Sequence, residues 1–276
     1  MTYRDILVHM DSSKHAGRRL DLAIRLATEH GAHLTGLYVM APPYIPTYMA
    51  AQLSAEVFEA QAAMAREAAD LAGAAFNERT AAAGLSAEWR AASGFPADVV
   101  SLQARYASLV IMGQPDPEDD AGTRELATQV VMESGRPVLL VPWAGNFETL
   151  GESVVVAWNA SRESARAVSD ALPILSRARQ VTVINASPGT GEESESELPG
   201  ADIAVHLARC DVEVESDPSF AADIDPAEAL LSRAADLGAD LIVMGAWGHS
   251  RLRELVTGGV TRHMLAHMTV PVLMSH

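Results

Sequence analysis

Two rhythms of apolar and polar positions alternate along the chain. The first run, DILVHM (Asp5 to Met10), is apolar after its opening acid but for His9 and ends in Asp11, Ser12 and Ser13, as a buried strand ends in a polar turn. Ala16, Leu20, Ala23 and Ala27 then recur at helical spacing, and Gly31 follows as a stop. LTGLYVM (Leu34 to Met40) is a second apolar run. Strand, helix and strand in this order predict the βαβ unit of a parallel sheet, with strands covered on both faces.

The pattern comes round again. SVVVAWNAS (Ser153 to Ser161) leads into a helical stretch from Arg162 to Ser176 and then VTVINA (Val181 to Ala186). FPADVVSLQARYASLVIMG (Phe95 to Gly113) matches IDPAEALLSRAADLGADLIVMG (Ile224 to Gly245), each a Pro-started helix feeding an apolar strand. RPVLLVP (Arg136 to Pro142) matches VPVLMSH (Val270 to His276), each a final strand. The chain therefore holds two copies of one lobe, each β-α-β-α-β-α-β-α-β. Asp11 and Asn159 stand 148 residues apart and Gly113 and Gly245 stand 132 apart, so the copies differ by 16 residues. The difference falls between the second and third strands. There the first lobe has an Ala-rich helical stretch, Gln52 to Ala83, and the second has an acidic loop, Ser187 to Gly200, before a short helix, Ala201 to Ala208. The boundary lies in Trp143 to Glu152, predicting domains at 1–145 and 150–276. Open sheets of this kind bind ligands at the carboxyl ends of their strands. That places Asp11, Val39 and Gly113 in lobe one, and Asn159, Val183 and Gly245 in lobe two.

Charge narrows the ligands. Asp and Glu number 36 against 20 Lys and Arg, a formal net charge of -16 that repels nucleic-acid backbones and anionic membrane surfaces. The single cysteine, Cys210, excludes an intrachain disulfide and a thiolate metal cluster. No apolar run reaches membrane-spanning length, and MTYRDILVHMDSS lacks the charged and apolar regions of a signal peptide, so a cytoplasmic location is expected.

One glycine-rich stretch stands out in this acidic chain. GAWGHSRLRELVTGGV (Gly245 to Val260) joins the fourth strand of lobe two to its last helix. Glycines let backbone N–H groups approach a phosphate, and a helix start adds partial positive charge. Gly245, Gly248, Gly258 and Gly259 supply the glycines. His249, Arg251, Arg253 and Arg262 concentrate basic side chains. A strand-to-helix turn also favours glycine, so these residues alone leave phosphate binding and a plain structural turn both open. His263 and His267, four residues apart, either share a metal or line a solvated helix face. Pro42 to Leu53 is either a lid or a Pro-stiffened loop packed on the lobe. No GxSxG elbow or GxxxxGK[ST] loop is present, which argues against a dedicated enzyme.

The spacing G-x2-G-x9-G, the openings ILVHMDSS and VVVAWNAS and the closings PVLLVP and PVLMSH resemble the universal stress protein family, nearly the whole chain twice. The resemblance implies an α/β fold of two tandem five-stranded parallel-sheet (HUP/Rossmann-like) domains. It further implies that they pack as a pseudo-dimer through their last strands. Family members with this spacing bind ATP or related adenine nucleotides. Carried over, Gly245, Gly248, Gly258, Gly259 and Val260, with His249, surround the phosphates, and Asn159 and Val183 stand near the base. Two departures weaken the site: Gly259 replaces a phosphate-binding Ser or Thr, and Asn159 replaces the family's acid. Lobe one keeps Asp11 and Val39, but Asp116 replaces its second glycine, Arg124 and Glu125 stand where Gly258 and Gly259 do, and Glu118, Asp119 and Asp120 repel phosphates. The expected function is nucleotide-linked stress response through binding, with a homodimer or an unidentified protein as further partner. A ligand-free interaction module and a slow ATPase using His249 are the alternatives.

Overall fold

The computed structural model describes residues 2–42, 55–116, 118, 121–185, 201–217, 225–247 and 259–276. The loop candidate Pro42 to Leu53, apart from Pro42 itself, and the acidic loop Ser187 to Gly200 lie outside the described residues, as do Gly248, His249 and Gly258. The chain divides into two compact units, Tyr3–Met112 and Gly113–His276, the latter joined by Met1–Thr2.

The first unit contains β1 (Asp5–Met10), α1 (Ala16–His30), β2 (His33–Met40), α2 (Ala55–Ala82), β3 (Ala87–Ser93), α3 (Pro96–Ala104) and β4 (Leu109–Gly113, its last residue in the second unit). Its strands run parallel in the order β3-β2-β1-β4. The order follows from burial. Ile6, Val8, Leu34, Leu37, Leu109 and Ile111 are nearly inaccessible, so β1 and its neighbours must be covered on both faces. α1 ends where Gly31 turns left-handed at φ 62° and its N–H reaches the Ala27 and Thr28 carbonyls. Two glycines admit the aromatic layer beneath α2. A Cβ at Gly36 would lie 2.7 Å from the Phe76 ring, and one at Gly73 2.6 Å from the Trp89 indole nitrogen.

The second unit contains α4 (Ala121–Glu133), β5 (Val138–Val141), β6 (Ser153–Trp158), α5 (Arg162–Leu175), β7 (Gln180–Asn185), α6 (Ala201–Ala208), β8 (Val214–Asp217), α7 (Pro226–Asp236), β9 (Leu241–Gly245), α8 (Val260–His267) and β10 (Val272–Ser275). Its strands lie in the order β5-β10-β9-β6-β7-β8. All neighbours are parallel except β5 and β10, which pair antiparallel with Val272 opposite Leu140 and Met274 opposite Val138. The closing strands of the two sequence repeats thus meet each other. Asp225 accepts from the N–H groups of Ala227 and Glu228, capping α7 behind Pro226. The linker before β6 is held by Asp240, whose carboxylate accepts from the N–H groups of Gly151 (2.9 Å), Glu152 (3.1 Å) and Ser153 (3.1 Å).

Candidate functional site

In the second unit the sheet changes direction at β6, which pairs with β7 on one side and β9 on the other. Its carboxyl edge is therefore the switch point at which such sheets hold ligands. β6 ends at Trp158. Asn159 follows, exposed, and its side-chain oxygen accepts from the Ser161 N–H at 3.2 Å, bending the chain through Ala160 at φ 55°. Ser161 then caps α5 by accepting from the Ser164 N–H at 3.1 Å.

Gly245 closes β9, and its role there is steric. A Cβ would lie 2.5 Å from the Ser164 nitrogen and 2.6 Å from the Glu163 carbonyl carbon, so only glycine lets α5 seat its first turn on the strand end. Ala246, fully buried, donates its N–H to the Ser275 carbonyl, and its own carbonyl lies 2.9 Å from His276 Nδ1. Trp247, at φ 46°, donates its N–H to the Thr261 hydroxyl at 3.3 Å. That bond ties the end of β9 to the first turn of α8, so Gly245 and the Gly259–Val260 helix start share one edge. Gly259 precedes α8 without a side-chain cap, which leaves the first-turn N–H groups to carry the partial positive end of the helix. Exposed Arg262 adds a full charge in the same turn.

Glu163 lies against Gly245 at the same edge. Its side chain is 3% exposed and is paired with the Arg162 guanidinium, while its Oε2 is buried with no hydrogen-bond partner. Burial pushes its carboxyl up, but the hydrogen bond and charge of Arg162, with hydrogen bonds from its own backbone N–H and from Ser161, together leave the pKa below the usual glutamate value. Sequence reasoning missed this residue, because a Glu in a first helical turn looks like an ordinary dipole partner.

Val183 does not reach the edge. It lies mid-strand, fully buried, opposite Val156. Met10 pairs with Tyr38, and the equivalent Trp158 pairs with Asn185. The registers therefore place the counterpart of Val39 at position 186, outside the described residues, and match Val183 with Gly36. Similar apolar runs slide by three residues without changing their pattern; only the register corrects the slip.

The equivalent edge of the first unit is differently charged. Asp11 accepts from the Ser13 N–H (3.0 Å), the Ser13 hydroxyl (2.6 Å) and the guanidinium of buried Arg19 (2.7 Å). Burial pushes the Asp11 carboxyl up, but Arg19, His9 and the Ser13 hydrogen bonds together bring it down to about 2. His9, buried beside the pair, is lowered to about 4 by burial first and by the Arg19 charge second, against the opposing Asp11 charge. Asp11 is therefore committed to its own helix. At the 148-residue offset the pair becomes Asn159 and Ala167, neutral at both positions. After β4, Gln114 stands where Ala246 does. Its amide donates to the Leu265 carbonyl at 3.0 Å and accepts from the Trp143 N–H at 3.2 Å. The position that follows β9 in one repeat thus braces the fold, after β4, in the other.

The His263 and His267 rings meet at a tilt of 49° with centroids 4.4 Å apart, and among the described residues no three His, Cys, Asp or Glu side chains come together as a metal site. Among the same residues no helix is long and apolar enough to cross a membrane.

A family model described as the universal stress protein family matches the chain twice, over residues 2–142 and 152–276. The crystal structure of a universal stress protein from Archaeoglobus fulgidus matches with a TM-score of 0.72 at 17% identity, covering 98% of this chain and 97% of that one. A functionally unknown protein from Pseudomonas aeruginosa matches with a TM-score of 0.61 at 17% identity, covering 99% and 92%. At these identities the likeness is one of fold. A universal stress protein from Synechocystis sp. is 46% identical over 46 residues, which span 17% of this chain and only 16% of that relative's length.

Proposed function

Because the chain belongs to the universal stress protein family, we propose that its second repeat binds an ATP-like nucleotide at the carboxyl edge of β6 and β9. The protein acts through that binding in a stress response, without dedicated catalysis. The domain boundary falls within residues 143–152, and the protein works in the cytoplasm. Phosphates sit against Gly245, Gly248, His249, Gly258, Gly259 and Val260. Asn159 meets the base as a neutral amide, with position 186 beside it in the place first given to Val183.

The observation that carries the reading is the Trp247 to Thr261 hydrogen bond, which joins the two ends of the glycine motif at an uncapped helix start. Arg262 supports it. Glu163, held as a carboxylate by its lowered pKa, cannot donate to a phosphate and works against one, so affinity is weak. In the first repeat Asp11 already accepts from Arg19 and Ser13, and Asp116, Glu118, Asp119 and Asp120 stand at its phosphate end, which supports one nucleotide per chain.

Mass spectrometry of ligand released from freshly purified protein tests this, with ATP and ADP in a thermal-shift titration beside it. The expected result is an adenine nucleotide at no more than one per chain and a shift at millimolar ATP that Gly259→Asp removes. No nucleotide and no shift would overturn the reading.

A further inference from the structure

α2 carries two apolar stripes, and among the described residues only one of them packs. Ala69, Gly73, Phe76 and Thr80 are buried against β2 and β3. The other stripe is Val57, Ala60, Met64, Ala68, Leu71 and Ala75, spaced three or four residues apart. With 3.6 residues per turn, Leu71 and Gly73 stand about 160° apart around the axis, so the second stripe faces away from the sheet. Met64 is 70% exposed and Leu71 67%. Residues 55–68, about 21 Å of helix, include no fully buried side chain, and only Ala62, Ala65 and Ala68 are half-buried. Isolated exposed apolar residues are ordinary, but large residues at 57, 64 and 71 with small ones between form the seam of a helix–helix contact.

Charge identifies the occupant. The helix carries Glu56, Glu59, Glu67, Asp70 and Glu78 against Arg66 and Arg79, and Arg79 is already bound to Asp21 and the Gly17 carbonyl. Glu56, Glu67 and Glu78 line one edge of the outward stripe. A second copy pairing antiparallel would set that edge against itself, in a chain of net charge -16. An anionic bilayer meets the same repulsion. We infer that the outward face of α2 docks a basic amphipathic helix of a partner protein. Its apolar residues cover Met64 and Leu71, and its Lys or Arg residues face Glu56, Glu67 and Glu78.

The full chain is titrated with a fluorescent, synthetic Leu/Lys heptad-repeat helix, and binding is read by anisotropy. Two double variants separate docking from plain charge attraction. Met64→Glu with Leu71→Glu adds two negative charges on the stripe. Ala63→Glu with Asn77→Glu adds two at exposed positions off it. Circular dichroism confirms that each remains folded. The expected result is at least a tenfold loss of affinity for the stripe variant, despite its added charge, and equal or tighter binding for the control. Equal or tighter binding by the stripe variant would overturn the inference. So would failure of the unaltered chain to bind the peptide. Sedimentation showing a dimer that the stripe variant dissociates would instead make a second copy the occupant, and flotation with phosphatidylserine vesicles that depends on the stripe would make it a membrane.

Discussion

At the scale of single residues, the repeats are set apart by exchanges of charge. Asp11 and Arg19 in one become Asn159 and Ala167 in the other, and His9 beside the first pair is buried enough to stay neutral. This has a consequence for acid stability. The folded His9 pKa lies near 4, below its ordinary 6.5, so as pH falls through 6.5 the unfolded chain takes up the proton first. Stability is lost from pH 6.5 down to about 4 and is level below. Complete titration of this shift costs about 3 kcal/mol. Asp11 acts in a lower window: its contribution is present above 3.8 and is lost as pH falls towards about 2. Urea unfolding at pH 7 and pH 4.5 is expected to show a smaller acid loss in His9→Asn than in the unaltered chain. An equal loss would remove His9 from the account.

At the scale of elements, periodicity found both βαβ openings, the Pro-started helices and the last strands, because each buries a continuous apolar face. It served β3 and β8 poorly, since edge strands are half exposed and AEWRAAS and VESD alternate weakly. The slip from position 186 to Val183 has the same origin: burial on both faces erases the alternation that marks register. The charge partner of Asp11 was also hidden, because a lone Arg on an apolar helix face shows its mate only after folding. Gly245, expected from the family resemblance to contact phosphate, is a steric requirement of α5 docking. Gly245→Ala is therefore expected to lower unfolding free energy by about 2–4 kcal/mol, by displacing the first turn of α5. Chemical denaturation of the ligand-free protein checks this; an unchanged midpoint would mean that α5 yields without cost.

At the scale of the whole molecule, the chain supplies both members of the β5–β10 pair. Around it, Arg166 donates to the Gly135 carbonyl at 2.8 Å, and Asp170 accepts from the Ser275 hydroxyl at 2.9 Å. A contact made within one chain does not depend on encounter between chains. The melting temperature is expected to stay constant across a hundredfold dilution, and calorimetry at both ends of that range measures it. A fall on dilution would show that the fold also leans on a second copy.

The same pairing releases a constraint of symmetry. In an isologous dimer every substitution appears twice, so a residue that improves one side must also be tolerated on the other. Here each side of the β5–β10 seam changes alone. Gln114 braces α8 from one repeat, while its counterpart Ala246 leaves room for His276 in the other. Each repeat can thereby take on a substitution at the seam that its twin does not share.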